Sequence, residues 1–261
     1  MSGTTEPVTV APAAQRRRLV TETVLVLGVS LGASAIWALL SLIRKVTNPT
    51  PLAQQTTAMN TSRAPERPWL DLAYQLADIL LPLVPVLLAL FLLAQDWPRP
   101  HRVMGFDLSR PGRDVALGLV LAAVIGLPGL GLYLLARELG VNTTISAAGL
   151  PDIWWGIPVL ILAAVGNAVL EEVLMVGYLF TRWAQAGWST IAIIVTSALV
   201  RGSYHLYQGF GGFIGNVAMG LILGWVYART RRVMPLVIAH TVLDVVAFVG
   251  YALVAPHVTW L

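Results

Sequence analysis

The sequence predicts an all-α fold, a polytopic membrane helix bundle of about seven transmembrane helices. Of the 261 residues, 57% are hydrophobic and only 11% are charged, whereas about 25% of the residues in a soluble domain carry charge. The mean hydropathy is +0.74, and apolar runs of about 20 residues, enough to cross a bilayer, recur along the chain. This composition excludes a water-soluble globule and a disordered chain.

Seven apolar segments are the candidate spans, at residues 19–43, 69–94, 115–136, 157–180, 189–204, 213–227 and 234–255. The first follows three arginines in the manner of a signal peptide, but its apolar run is too long for one, which favours an uncleaved helix. The fifth and sixth are short and flank a glycine-rich turn at 209–212. Their ends are expected to dip into the membrane rather than cross it cleanly.

The predicted organisation is a disordered cytoplasmic tail (1–18), N-terminal transmembrane helices with a connector (19–114), and a core of transmembrane helices (115–255). With the N-terminus in the cytoplasm, the cytoplasmic segments carry most of the 17 lysine and arginine residues. This distribution predicts a cytoplasmic N-terminus and an outer C-terminus. Arginine far outnumbers lysine, as in GC-rich genomes, so we expect an integral protein of a bacterial plasma membrane.

Composition also excludes several kinds of site. The chain has no cysteine, which excludes disulfides, thiolate metal sites and cysteine nucleophiles. The net charge of +4 is scattered between apolar blocks, and such a distribution does not indicate nucleic-acid binding. The lipid bilayer is therefore the first expected partner.

Six ionisable residues lie in or beside the apolar segments of the last third of the chain: Glu171, Glu172, Arg201, His205, His240 and Asp244. A charge at the centre of a transmembrane helix costs about 2.5–3.5 kcal/mol on insertion scales. These side chains are therefore expected to face inward, to pair with one another or to line a wet cavity. Such a cluster is by default a hypothesis for a functional site.

The spacing of these residues predicts that they converge. Two pairs are separated by four residues and so share one helix face, namely Arg201 with His205 and His240 with Asp244. Glu171 and Glu172 point about 100° apart on a helix, so one can enter a site while the other supports it. Asn167 and Asn216 are supporting candidates, although each is equally explained as an ordinary contact between helices.

The chemistry available to such a set is hydrolysis. A desolvated glutamate can act as a general base for water, a histidine can orient that water, and a second histidine can donate to an oxyanion. Asp244, one turn from His240, would favour the charged imidazolium. Glutamate and histidine around a bound water also describe a catalytic zinc site, but the helical His-Glu-x-x-His pattern is absent from the sequence.

Three segments resemble the motifs of the CAAX-protease and bacteriocin-processing family of intramembrane proteases (CPBP, or Abi). Residues 171–178, EEVLMVGY, resemble the first motif, Glu-Glu-x-x-x-Arg followed by Gly-Tyr. Residues 201–205, RGSYH, match the second, Phe-x-x-x-His, at the histidine, and residues 240–244, HTVLD, match the third, His-x-x-x-Asn or Asp. The resemblance covers about residues 115–255.

The resemblance implies an intramembrane endopeptidase that hydrolyses membrane-associated or amphipathic peptides, so that a peptide or membrane protein is the expected second partner. Glu171 would activate the water with His205 as its partner, His240 and Asp244 would stabilise the oxyanion, and Glu172 would support the site. The family has been described both as glutamate proteases, which need no cofactor, and as metalloproteases. In the latter case a divalent metal such as zinc would be held by Glu171, His205 and His240.

Two positions depart from the family pattern, because Val176 replaces the arginine of the first motif and Arg201 replaces the phenylalanine of the second. Charge balance in a low-dielectric interior suggests that Arg201 supplies the missing positive charge and pairs with Glu172 or with a substrate carboxylate. The departures leave room for a non-catalytic membrane scaffold or immunity factor. A proton- or ion-coupled transporter is a further alternative, because carboxylates and histidines inside a membrane also form proton relays.

Overall fold

The helices of the computed structural model, which describes residues 9–257, follow the apolar segments of the sequence. They are α1 (Ala13–Gly28), α2 (Leu31–Val46), α3 (Pro68–Leu80), α4 (Val84–Leu93), α5 (Pro100–Val103), α6 (Pro111–Glu138), α7 (Gly156–Glu171), α8 (Leu179–Gln185), α9 (Thr190–Ser203), α10 (Phe210–Thr230) and α11 (Met234–Val254). A π-helix, Glu172–Tyr178, joins α7 to α8. Short 3₁₀ turns occupy Leu52–Gln54, Leu81–Leu83, Leu206–Gln208 and Ala255–His257.

Within the described residues, five helical segments are long and apolar enough to cross a membrane: Pro68–Leu93, Pro111–Glu138, Gly156–Gln185, Phe210–Thr230 and Met234–Val254. Helices α1 and α2, which are bent by 52° relative to each other, make a sixth if they form one span. Helix α9 has 14 residues, about 21 Å, and is shorter than the ~30 Å hydrocarbon core. The predicted all-α polytopic bundle is confirmed, and its fifth predicted span is a short apolar helix.

The first predicted segment differs from expectation at both its start and its middle. Helix α1 begins at Ala13, so residues 13–18 are helical rather than part of a disordered tail, while residues 1–8 of that tail lie outside the described residues. The start is anchored because the Ala11 amide donates to the carbonyl of Gln185 at 2.8 Å. The helix then breaks at Ser30, whose hydroxyl donates to the carbonyl of Val26 at 2.7 Å.

The bent pair α1–α2 joins the two ends of the bundle. We call the end that holds Arg182 and Arg232 the arginine end, and the opposite end, which holds residues 47–67 and 139–155, the loop end. The start of α1 bonds to Gln185 at the arginine end, whereas Lys45 near the end of α2 donates to the carbonyl of Tyr207 at the loop end. The pair therefore runs from one end of the bundle to the other.

At the loop end, two short strands, β1 (Thr56–Ala58) and β2 (Thr144–Ser146), pair in parallel. Buried Thr143 donates through its backbone amide and its hydroxyl to the carbonyl of Gln208, at 3.0 and 2.9 Å. The glycine-rich turn is held here as well, because Gly209 has a φ of 119° and a Cβ there would lie 2.8 Å from the Cα of Asn142. The turn between α9 and α10 is thus fastened to the loops around the strands.

At the arginine end, Arg232 pairs with Asp107 and Asp114. Burial raises the pKa of the Asp107 carboxyl, but the hydrogen bonds from Ser109 and Arg232 outweigh burial and hold this pKa below its ordinary value. The Asp114 side chain raises the pKa of Arg232 by accepting its hydrogen bonds. These pairs connect the start of α6 to the turn between α10 and α11.

Close helix packing sets the positions of α9 and α11. A Cβ on Gly220 of α10 would lie 2.8 Å from the Cα of Ala198 of α9. On the other side, a Cβ on Gly118 of α6 would lie 2.6 Å from the side chain of Ile238 in α11. Since small residues let helix backbones approach closely, α9 and α11 are held against the rest of the bundle at the level of the ionisable cluster.

Candidate active site

Three elements supply the ionisable cluster. Glu171 is the last residue of α7 and Glu172 is the first residue of the π-helix. Arg201 lies in the last turn of α9, His205 follows that helix, and α11 carries the second histidine of the cluster, His240, and its aspartate, Asp244. All seven residues of the π-helix are buried. π-helical turns are rare and are frequently found at functional sites, so the turn itself is a second indication of a site in this region.

Arg201 forms the centre of the cluster. Its side chain is fully buried, and its Nη1 donates to Oε2 of Glu171 at 3.0 Å while Nη2 donates to Oε1 of Glu172 at 2.6 Å. The pairing with Glu172 that charge balance predicted is therefore present, and the same guanidinium also neutralises Glu171. An arginine that enters from α9 compensates two adjacent carboxylates of the preceding transmembrane segment.

His240 is fixed by the second glutamate. Its Nδ1 lies 2.8 Å from Oε1 of Glu172, and its Nε2 lies 3.7 Å from Oδ1 of Asp244. Asn167 donates to Oδ2 of Asp244 at 3.4 Å. With Nδ1 engaged by Glu172, Nε2 of His240 is the ring nitrogen that remains for a ligand.

Glu171 is held through only one of its two oxygens. Tyr204 donates its hydroxyl to Oε2 at 2.7 Å, the same oxygen that accepts from Arg201. Oε1 of Glu171 accepts no hydrogen bond from the described residues and is not fully buried. A carboxylate with one oxygen fixed and the other open is suited to take a proton from a water molecule.

His205 lies beside this carboxylate. Its Nδ1 is 3.0 Å from the carbonyl of Arg201, which leaves Nε2 as the free ring nitrogen. The centroid of its ring is 4.8 Å from that of Tyr204 and 6.2 Å from that of Tyr207. The hydroxyl of Tyr204 donates to Glu171 and its ring packs on His205, so the two residues that the resemblance pairs for water activation contact the same side chain.

The other supporting candidates are placed differently. Asn167 contacts the cluster through Asp244. Asn216 does not join its hydrogen bonds, because its side-chain amide donates to the carbonyl of Gly212 at 3.0 Å, one turn earlier in its own helix. Tyr204 was not predicted, although it follows Arg201 by three residues and so shares its helix face. That spacing is the signal that sequence reasoning missed.

The metal-binding alternative is not supported by the grouping of the donors. Among residues 9–257, no three histidine, aspartate or glutamate side chains converge to hold a metal ion. The conditional set of Glu171, His205 and His240 is therefore not brought together as three metal ligands. The cluster is arranged to bond with itself around Arg201.

Comparisons with known proteins agree with the motifs. Residues 153–246 match the family described as type II CAAX prenyl endopeptidase Rce1-like, and the whole ionisable cluster lies within that range. No curated protein and no solved structure matches the chain. The Rce1-like family is part of the CPBP family, so the relationship predicted from the three motifs is confirmed over residues 153–246, at the level of a family of membrane-embedded proteases.

Proposed function

We propose that this protein is an intramembrane endopeptidase that cleaves membrane-associated or amphipathic peptides with a water activated by Glu171 and His205. The observation that carries the proposal is the state of the Glu171 carboxylate. One oxygen is held by two donors, the other is open, and the residue lies at the end of a helix within a membrane-spanning segment.

In the proposed reaction, Oε1 of Glu171 takes a proton from water while Nε2 of His205 orients that water. The water oxygen then bonds to the carbonyl carbon of the peptide, and the carbonyl oxygen becomes an oxyanion. Nε2 of His240 donates to that oxyanion. When the tetrahedral intermediate collapses, the carbon–nitrogen bond breaks and the proton on Glu171 passes to the leaving amine.

The remaining residues support this arrangement. Glu172 accepts from both Arg201 and His240, so it fixes the group that holds the base and the group that would hold the oxyanion. An ionised Asp244 would repel an oxyanion, so this residue contributes directly only when it carries a proton. With its charge, Asp244 instead stabilises a protonated His240 from 3.7 Å away.

The central test replaces Glu171 with glutamine. Glu171→Gln keeps the shape and removes the base, so we expect peptide hydrolysis by purified protein in liposomes to fall about 10²–10⁴-fold. The substrate panel pairs a prenylated CAAX peptide with an unprenylated amphipathic peptide. Glu138→Gln, at an exposed carboxylate at the end of α6, is the matched control and should retain activity. Wild-type rates in Glu171→Gln, with normal membrane insertion, would exclude the proposed mechanism.

A non-catalytic scaffold or immunity factor is the second candidate. It is favoured by the double ion pair, because a guanidinium that neutralises both glutamates is also what a structural brace requires. The same variant separates the two functions. A scaffold keeps its cellular phenotype in Glu171→Gln, whereas an enzyme loses it.

We also propose that the arginine end faces the cytoplasm of a bacterial cell and that the C-terminus lies outside. The exposed arginines of this end support the orientation, since cytoplasmic loops are enriched in arginine and lysine; they include Arg17, Arg18, Arg99, Arg110, Arg113 and Arg231. The natural chain has no cysteine, so a single cysteine introduced at Ser109 or at Asn48 reports which side of the membrane the arginine end or the loop end faces. A membrane-impermeant maleimide should label Asn48→Cys in intact cells and leave Ser109→Cys unlabelled; the reverse result would invert the topology.

A further inference from the structure

We propose that Tyr204 is a positioning residue, which holds the Glu171 carboxylate so that its open oxygen faces the reacting water. This inference rests on the proposed function and adds a residue that neither the motifs nor the family match singles out. Tyr204 is 5% exposed, and its hydroxyl lies 2.7 Å from Oε2 of Glu171.

One oxygen of the Glu171 carboxylate is held by two hydrogen-bond donors from the same end of α9. Arg201 and Tyr204 both lie at the end of α9, and their Nη1 and hydroxyl reach Oε2 of Glu171 at 3.0 and 2.7 Å. One donor alone would leave the carboxylate free to rotate about its terminal carbon–carbon bond. Two donors from different side chains restrain that rotation, and Oε1 is then directed to a defined position.

The face of α9 that carries these donors is itself docked. Ser197, one turn before Arg201, is 1% exposed and donates its hydroxyl to the carbonyl of Met175 in the π-helix at 2.8 Å. Ser197, Arg201 and Tyr204 are spaced by four and three residues and share one helix face. The face therefore contacts the segment containing the glutamates at three successive points, and the Tyr204 hydroxyl is the contact closest to His205.

Tyr204 also contacts the second member of the water-activating pair. Its ring lies 4.8 Å from the ring of His205, with the two planes tilted by 41°. His205 is restrained on its other side by the hydrogen bond between its Nδ1 and the Arg201 carbonyl. A single side chain thus contacts both the base and the histidine that would orient the water. The geometry assigns Tyr204 to positioning, because its hydroxyl hydrogen is already donated to Glu171.

The test is Tyr204→Phe in the full-length protein, with kcat expressed per folded enzyme. The ring remains and the donor is lost, so we expect kcat to fall about 10- to 100-fold, the scale associated with misplaced catalytic groups, while KM changes little. The matched control is Tyr227→Phe, a tyrosine that is 2% exposed and packs on Phe180 in another part of the bundle. It should keep the wild-type kcat. Incorporation of 3-fluorotyrosine at position 204 keeps the hydroxyl and should restore most of kcat.

Three outcomes would overturn the inference. The first is a wild-type kcat in Tyr204→Phe, and the second is a loss of activity that only follows the loss of folded protein. The third is equal loss in the phenylalanine and fluorotyrosine variants, which would show a steric role. The failure of the proposed function is distinguishable, because then Glu171→Gln would also be active. If Glu171→Gln is inactive and Tyr204→Phe is not, only the role of Tyr204 is refuted.

Discussion

Two buried arginines of the bundle face two carboxylates each, and they differ in how completely they are bonded. Arg182, at the arginine end, uses its whole guanidinium. Nε donates to Glu22, Nη1 donates to Asp96 and Gln185, and Nη2 donates to the carbonyl of Leu92. We call these residues the Arg182 cluster. Each of the three guanidinium nitrogens of Arg182 therefore donates at least one hydrogen bond.

The cluster around Arg201 is bonded less completely. Within the described part of the chain, Nε of Arg201 and Oε2 of Glu172 are buried without a hydrogen-bond partner, and Oε1 of Glu171 accepts none either. Buried polar groups are bonded in the great majority of cases. Stability alone explains a cluster such as that of Arg182, in which every guanidinium nitrogen is hydrogen-bonded. Donor and acceptor atoms without partners beside a histidine are instead what a site for water and substrate requires.

The largest expected contrast comes from neutralising each of the two arginines together with its two carboxylates. The triple variant E171Q/E172Q/R201M should lose about 10²–10⁴-fold in hydrolysis, because the base is gone. E22Q/D96N/R182M should stay active, because its residues hold only the arginine end. Neutralising an arginine together with both of its carboxylates avoids the uncompensated buried charge that makes single replacements costly, so both triples should insert and fold. Peptide hydrolysis in liposomes checks this, and an inactive but folded Arg182 triple would break the comparison.

Single replacements of the arginines should separate the clusters by stability. Arg201→Met removes the guanidinium that pairs with Glu172, a side chain that is 0% exposed. We expect a loss near the upper end of the ~3–5 kcal/mol range for breaking a buried pair. Arg182→Met should cost less, about 3 kcal/mol, because the Asp96 side chain is 31% exposed and can be hydrated. Denaturant titration in detergent measures both. A larger loss in Arg182→Met would show that burial does not rank the two clusters.

A third contrast uses the tyrosines that serve each cluster. Tyr178 donates to Glu22 at 2.8 Å, as Tyr204 donates to Glu171. Tyr178→Phe should cost about 1.5–3 kcal/mol, the usual value for a hydrogen bond to a charged group, and should not change kcat. Thermal unfolding and turnover of the same sample provide the two readouts. A lowered kcat in Tyr178→Phe would indicate that the arginine end also acts on the reaction.

The smallest effect is expected at the third arginine, Arg232, near the surface. The pKa of Asp107 is held below its ordinary value, so the stability that this carboxylate contributes is complete above its unfolded-state pKa. It is lost as the pH falls through the lower folded-state pKa. Asp107→Asn should therefore reduce the decrease in melting temperature between about pH 5 and pH 3, by the equivalent of about 0.2–1 kcal/mol. Unchanged acid sensitivity would show that Asp107 adds nothing.

Much of the fold was predictable from the sequence, because apolar runs report directly where helices can lie in a membrane. The break at Ser30 was not, since it depends on a hydroxyl that replaces one helix hydrogen bond. The length of α9 was overestimated for a related reason. Apolar residues continue around Tyr204, but the chain there has already left the α-helix at Ser203.

The candidate site was predictable to the extent that intramembrane charges are costly. That cost explains why all six ionisable residues lie close together, and why Arg201 contacts Glu172. It does not identify a neutral donor, and so Tyr204 was missed. Nor does it tell whether an amide is used by its own helix, as that of Asn216 is. The roles assigned to the individual residues stay predictions until the variants are measured.

Lys45 has a consequence for how much of the chain an active protein needs. This buried lysine donates to Thr57 and to the carbonyl of Tyr207, and so fastens the end of α2 to the turn that follows His205. Residues 153–246 contain every residue of the cluster, yet this anchor lies more than a hundred residues upstream of that region. A fragment trimmed to the family-matched residues would lose this anchor. The turn that follows His205, one of the two histidines of the cluster, would then no longer be held in position.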